Sequence, residues 1–209
     1  PVQDFLPRFA GAGKETVTVR HLLTHSSGVD WWAPLYEEAR GKAEYLERIQ
    51  AMDLVYEPGS RSKYSDLGLI LLGEILERVA GEPLDAFVHR RVLEPLKMSD
   101  TMFRPGAELL ARIAPTERDP WRGRVLRGEV HDRNTFALEG VAPHAGLFGT
   151  AGGSALLTWT RMYGGGEISL PFLVAAAAGI LMAVSVGLFF GIYPAWLAAR
   201  MDPVEALRS

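Results

Sequence analysis

The sequence predicts a mainly α-helical first part followed by one C-terminal transmembrane helix. Three observations carry this prediction. Apolar residues in the first part recur at helical spacings between recognisable cap signals, whereas strand signals are thin. Charged residues are spread through positions 1 to 161 and vanish between Ile168 and Ala199. The uncharged run Leu170 to Ala199 is long enough to cross a bilayer, which takes roughly 20 apolar residues.

In chain order, Thr18 is placed to cap a short helix holding Leu22 and Leu23, which stops before the turn-forming Ser26-Ser27-Gly28. A second helix is expected from near Pro34 to Ile49, with Leu35, Ala39, Tyr45 and Leu46 on its buried side. The strongest helix signal covers Leu67 to Ala80. Asp66 stands at its N-cap, Leu69, Leu72, Ile75, Leu76 and Val79 at helical spacings, and Gly81 at the C-terminal cap. A further helix, Leu84 to Leu93, is expected to bury Phe87 and Val92 before Pro95 ends it. Gly164 to Glu167 (GGGE) reads as a joint between residues 1–165 and 166–209.

Composition narrows the function classes. At 209 residues the chain holds one ordinary domain and a small appendage. A net charge of -3, from 22 basic and 25 acidic residues, comes with no basic run of the kind that follows a phosphate backbone, so no nucleic-acid partner is expected. The lack of cysteine excludes thiolate metal sites, thiol catalysis and disulfides. The five histidines show no metal-ligand spacing, so neither metal nor cofactor is expected. The chain opens with Pro1 and no signal peptide, which suggests a start further upstream. Arg200 and Arg208 behind the apolar run favour a cytoplasmic tail. Residues 170–199 would then anchor the chain in a bacterial inner membrane, with the first part periplasmic or extracellular.

Three segments resemble, in order and spacing, the blocks of class C beta-lactamases, penicillin-binding carboxypeptidases and related serine esterases. They are VTVRHLLTHSSGVD (17–30), YEPGSRSKYSDLGLILLGEILERVAGEPLDAFVHRRVLEPLKMSDTMF (56–103) and HDRNTFALEGVAPHAGLFGTAGG (131–153). The resemblance implies a mainly α fragment of the α/β beta-lactamase or transpeptidase-like fold. It also implies acyl transfer on beta-lactam, D-Ala-peptide or ester substrates. Such chemistry needs an activated serine and donors for the oxyanion. In the family these come from a Ser-x-x-Lys helix, a Tyr-x-Asn motif and a Lys-Thr-Gly or His-x-Gly strand.

Tyr64-Ser65-Asp66 matches the second motif, which implies Tyr64 as proton shuttle, with Asp66 where the family has Asn. An ionised carboxylate accepts but does not donate, so the donating role of that Asn does not carry over. From the residues alone, Tyr64 also fits a ring packed before a helix, and Asp66 a plain N-cap. Ser60-Arg61-Ser62-Lys63 spells Ser-x-x-Lys, but it follows the Pro58-Gly59 turn and precedes the next helix, so no helical turn aligns Ser60 with Lys63. The serine motif of the family would precede Pro1. His144-Ala145-Gly146 imitates the third motif but belongs with the 131–153 block. His25 and His131 read as hydrogen bonders that fix loops. Trp31-Trp32 either line a substrate cleft or cover the core.

The tail GIYPAWLAARMDPVEALRS (191–209) resembles the C-terminal end of MacB/FtsX-type ABC transporter permeases, a likeness extending over about residues 168–209. That implies an ABC transporter ATPase subunit as a possible partner. Three readings follow: a hydrolase active within a longer chain, a degenerate hydrolase serving a transporter, or an accidental join with no activity. No acyl transfer is expected from these 209 residues alone.

Overall fold

The computed structural model describes residues 1–151 and 153, all within the unit Pro1–Leu156. Its helices are α1 (Val19–Leu23), α2 (Leu35–Glu38), α3 (Gly41–Ala51), α4 (Asp66–Ala80), α5 (Leu84–Val88) and α6 (Arg133–Ala137). Single 3₁₀ turns cover Val2–Asp4 and Lys14–Thr16, a longer 3₁₀ helix covers Ala107–Arg112, and a π turn over His89–Leu93 continues α5. Four two-residue strands form two antiparallel pairs. β1 (Met102–Phe103) pairs with β4 (Leu147–Phe148), Met102 opposite Phe148. β2 (Arg118–Asp119) pairs with β3 (Arg124–Val125), Arg118 opposite Val125.

α1 starts where Thr18 caps it: Thr18 Oγ1 accepts from His21 N at 3.2 Å, and His21 Nδ1 accepts from Thr18 N at 3.3 Å. The cap residue of α4 is Ser65 rather than Asp66. Ser65 is extended and its Oγ accepts from Gly68 N at 2.9 Å, which places Asp66 inside the first helical turn. Gly81, left-handed at φ 70°, closes α4 as expected.

The expected single helix from Pro34 to Ile49 is broken. Ala39 and Arg40 are extended and Gly41 takes φ +74°, so α2 ends and α3 starts afresh. Glu44 Oε2, accepting from Arg40 N at 2.8 Å, stands in for a cap. Leu35, Ala39, Tyr45 and Leu46 are nevertheless all buried.

The inward face of α4 also differs from the expected one. Leu67, Ile70, Leu71 and Ile75 are buried, whereas Leu69, Leu72 and Leu76 are half-buried and Val79 is exposed. The helix is apolar almost all round, so several stripes of helical spacing coexist and periodicity cannot choose between them. Glycine decides one side: a Cβ on Gly73 would run into the Pro143 ring, so the 141–143 segment packs there directly. In α5 and its π turn, Leu84 and Leu93 are buried, while the expected Phe87 and Val92 are half-buried. The π turn shifts the phase, so straight α periodicity does not carry through it.

One apolar cluster holds the unit together. Val2, Leu6, Phe9 and Val17 meet Leu22 of α1, Tyr45 and Ile49 of α3, and Leu67 and Leu71 of α4. Among the described residues no helix is long and apolar enough to cross a membrane. The expected span at 170–199 lies outside the described residues.

Candidate active site

The segment before α4 is held against the segment after α1 by a ladder of bonds. Gly59 N donates to Ser26 O at 2.8 Å, Lys63 N to His25 O at 2.8 Å, and Asp66 N to Trp31 O at 2.9 Å. Ser62 Oγ donates to Thr24 O at 2.9 Å, and the buried Ser65 Oγ to Asp30 O at 2.7 Å. His25 is strained at φ +54°, and its Nδ1 accepts from Ser65 N at 3.3 Å. It therefore fixes this loop, as its place in the sequence suggested.

Tyr64 rides on that ladder. Its ring lies 4.6 Å from the His25 ring, and the side chain is half exposed. Partial burial pushes its hydroxyl up to about 12, and the Asp66 carboxylate beside it adds to the rise. In this setting Tyr64 holds its proton. It could shuttle one only with a cation drawn close enough to favour phenolate.

Asp66 does not stand alone. Asp132 and His144 each bring a ligand-capable atom to it, and the three atoms lie within 4.8 Å of one another. Asp132 caps α6, its Oδ1 accepting from Thr135 N at 2.6 Å. His144 Nε2 stands 3.3 Å from Asp132 Oδ1 and 3.2 Å from Thr135 Oγ1, and the imidazole is only 3% exposed. Burial acts to raise the Asp132 carboxyl, but the His144 contact and the Thr135 amide outweigh it and hold it down to about 2. Buried Asn134 ties α6 to the rest, donating to Ala33 O at 2.9 Å and accepting from Tyr36 N at 3.1 Å.

Sequence reasoning named Tyr64 and Asp66 but missed Asp132 and His144. Both lie within the quoted 131–153 block, yet far along the chain from Asp66, so no local spacing announces the cluster. Trp31, exposed and bonded through its carbonyl to Asp66 N, is a surface residue beneath Lys63 Nζ rather than core, and Trp32 is half-buried. His131 pairs with Glu117 at 2.8 Å. Ser60 stands outside any helix and donates to Glu57 O at 2.6 Å, so its Ser-x-x-Lys spelling aligns no lysine with it. A cavity of about 390 Å³ between α4, α5 and residues 138–143 is lined by Lys42, Glu74, Glu77, Asp85 and Arg104; Tyr64 does not line it.

The family described as Beta-lactamase matches residues 1–178. The chain belongs to the beta-lactamase family. A protein of Escherichia coli (strain K12), provisionally named D-alanyl-D-alanine carboxypeptidase, is 36% identical over 194 residues, covering 79% of this chain and 44% of the relative. The N-acetylmuramyl-L-alanine amidase of Bacillus subtilis (strain 168) is 33% identical over 186 residues, covering 75% of this chain and 42% of the relative. A class C beta-lactamase shares the fold at a TM-score of 0.60 and 19% identity, over 77% of this chain and 41% of its own. The chain thus spans less than half the length of these relatives. The beta-lactamase match continues past residue 165, where the joint was expected, and none of the three proteins named is a transporter.

Proposed function

We propose that residues 1–165 are the tyrosine-bearing part of a beta-lactamase-type serine hydrolase that cleaves amide bonds beside alanine in peptidoglycan stem peptides. Tyr64 acts as the proton shuttle. The carrying observation is the placement of Tyr64: half exposed, at the entrance to α4, with its backbone locked to residues 24–31 by the ladder described above. The names of the two relatives, a D-alanyl-D-alanine carboxypeptidase and an N-acetylmuramyl-L-alanine amidase, support this substrate class over simple esters.

In this reading the nucleophile and its lysine belong to a Ser-x-x-Lys helix outside residues 1–151. That lysine also supplies the cation that Tyr64 needs to give up its proton. Residues 170–199 hold the enzyme at the outer face of a bacterial cell membrane, close to its polymer substrate. The test is release of D-alanine from a stem peptide ending in D-Ala-D-Ala by the complete natural gene product. Residues 1–209 alone should release none. Turnover by the complete product of simple esters but not of the peptide, or of neither, contradicts the proposal.

A further inference from the structure

Trp121, in the turn between β2 and β3, is 44% exposed, although its surroundings are fixed. Its amide donates to the buried Asp119 carboxylate at 2.8 Å. Its ring meets two steeply inclined rings, Tyr36 at 5.0 Å and Phe136 at 6.1 Å, and the Arg122 guanidinium lies 4.3 Å from the Phe136 ring. Tyr36 is itself buried, and its hydroxyl accepts from Arg133 at 3.0 Å. The indole is thus locked in place yet open to solvent. It borders a groove of about 470 Å³, in the size range of small-molecule sites. The groove exists because α2 and α3 are separate helices. Ala39, Arg40 and Gly41 of the break line it, and a Cβ on Gly41 would meet nothing. Glu37 adds a carboxylate to the same lining.

We propose that this groove is a subsite for the N-acetylated amino sugar from which a peptidoglycan stem peptide hangs, an inference that rests on the substrate class proposed above. The face of an indole carries the negative part of its quadrupole, so it attracts the polarised C–H groups of a pyranose. The hydroxyl and amide groups of the sugar need hydrogen-bonding partners around that platform. Glu37 accepts from hydroxyls, and Arg40 donates through the nitrogens left over once its Nη1 has bonded the Glu37 and Ala39 carbonyls. Because the indole is already locked, binding incurs little ordering cost. The position of the groove fits the peptide as well. Phe136 and Ala137 line it from α6, one turn or about 6 Å beyond Asp132. Asp132 is the end of α6 that meets Asp66, two residues from Tyr64. At about 3.3 Å per extended residue, a sugar in the groove stands off from that end by about two residues. The bond presented to Tyr64 therefore lies out along the peptide, which selects release of D-alanine over cleavage at the sugar itself.

Two substrates and one titration test this. The complete natural gene product is offered a stem pentapeptide ending in D-Ala-D-Ala, either free or linked to N-acetylmuramic acid, and D-alanine release is followed. KM should be about three- to tenfold lower for the linked peptide with kcat unchanged, as for a contact made equally in the ground and transition states. Trp121→Ala should bring the ratio of the two KM values to about one, and Glu37→Ala should reduce it. Because the ratio compares two substrates on one protein, a general loss of stability cancels. In parallel, an N-acetylmuramyl dipeptide is titrated into the 209-residue chain. The emission of Trp121, isolated by subtracting Trp121→Phe, should change saturably with it and not with the sugar-free dipeptide. Equal KM for the two peptides, an unchanged ratio in Trp121→Ala, or release of the peptide from its sugar overturns the subsite. So does an emission that fails to saturate, or that responds equally to the sugar-free dipeptide. If the complete product turns over neither peptide, the hydrolase reading falls, and the emission titration alone decides the sugar subsite.

Discussion

Replacing Ser65 by alanine removes one oxygen that serves two partners, buried Gly68 and half-buried Asp30. Its Oγ accepts from Gly68 N at 2.9 Å and donates to Asp30 O at 2.7 Å, and the residue is 2% exposed. Loss of an N-cap costs about 1 kcal/mol. The carbonyl of half-buried Asp30, deprived of its donor, adds about 1–2 kcal/mol. The sum is about 2–3 kcal/mol, which for a chain of this size is a fall in Tm of roughly 5–10 °C. Urea unfolding followed by far-ultraviolet circular dichroism measures it, and the m value should not change, because the surface exposed on unfolding is the same. Ser60→Ala is the control, since that hydroxyl serves only the nearby, exposed Glu57 carbonyl, and its effect should stay within about 0.5 kcal/mol. A Ser65→Ala loss no larger than the control would refute the view that this residue fixes the junction between Tyr64 and α4.

Gly28→Ala should destabilise by more than about 1 kcal/mol, because φ is +81° and the added Cβ would meet the Tyr56 carbonyl; thermal unfolding checks this. Asp119 gives a pH-dependent term. Burial would raise its carboxyl, but the Arg133 guanidinium and the Trp121 and Arg122 amides hold it down to about 2. A depressed carboxyl stabilises the fold above its unfolded value near 3.8, and that contribution is lost as pH falls towards 2. The urea-midpoint gap between wild type and Asp119→Asn should therefore be constant above about pH 4 and narrow below it. A gap that does not change with pH would contradict the ion pair.

Local signals were legible where one residue type answers one backbone need. Thr18 and Gly81 cap helices because their side chain, or the lack of one, suits the end geometry. Ser65 took the cap from Asp66 because Ser65 is the extended residue, a distinction that two adjacent cap formers do not reveal. The break at residues 39–41 depends on the left-handed conformation of Gly41, which helix periodicity overlooks. The α4 face was misread because leucines and isoleucines surround it, leaving tertiary packing to choose. Tyr64 and Asp66 emerged from a family motif. Asp132 and His144 reach them only through the fold, after α6 has been pinned by Asn134 to Ala33 and Tyr36.

The central claim is that Tyr64 moves the proton in acyl transfer. It is tested most directly by the rate at which a fluorescent penicillin acylates the complete natural gene product and its Tyr64→Phe variant, both shown to be folded. Loss of a positioned proton-transfer group should slow acylation by about 10²–10⁴-fold. Equal rates in the two proteins would contradict the account.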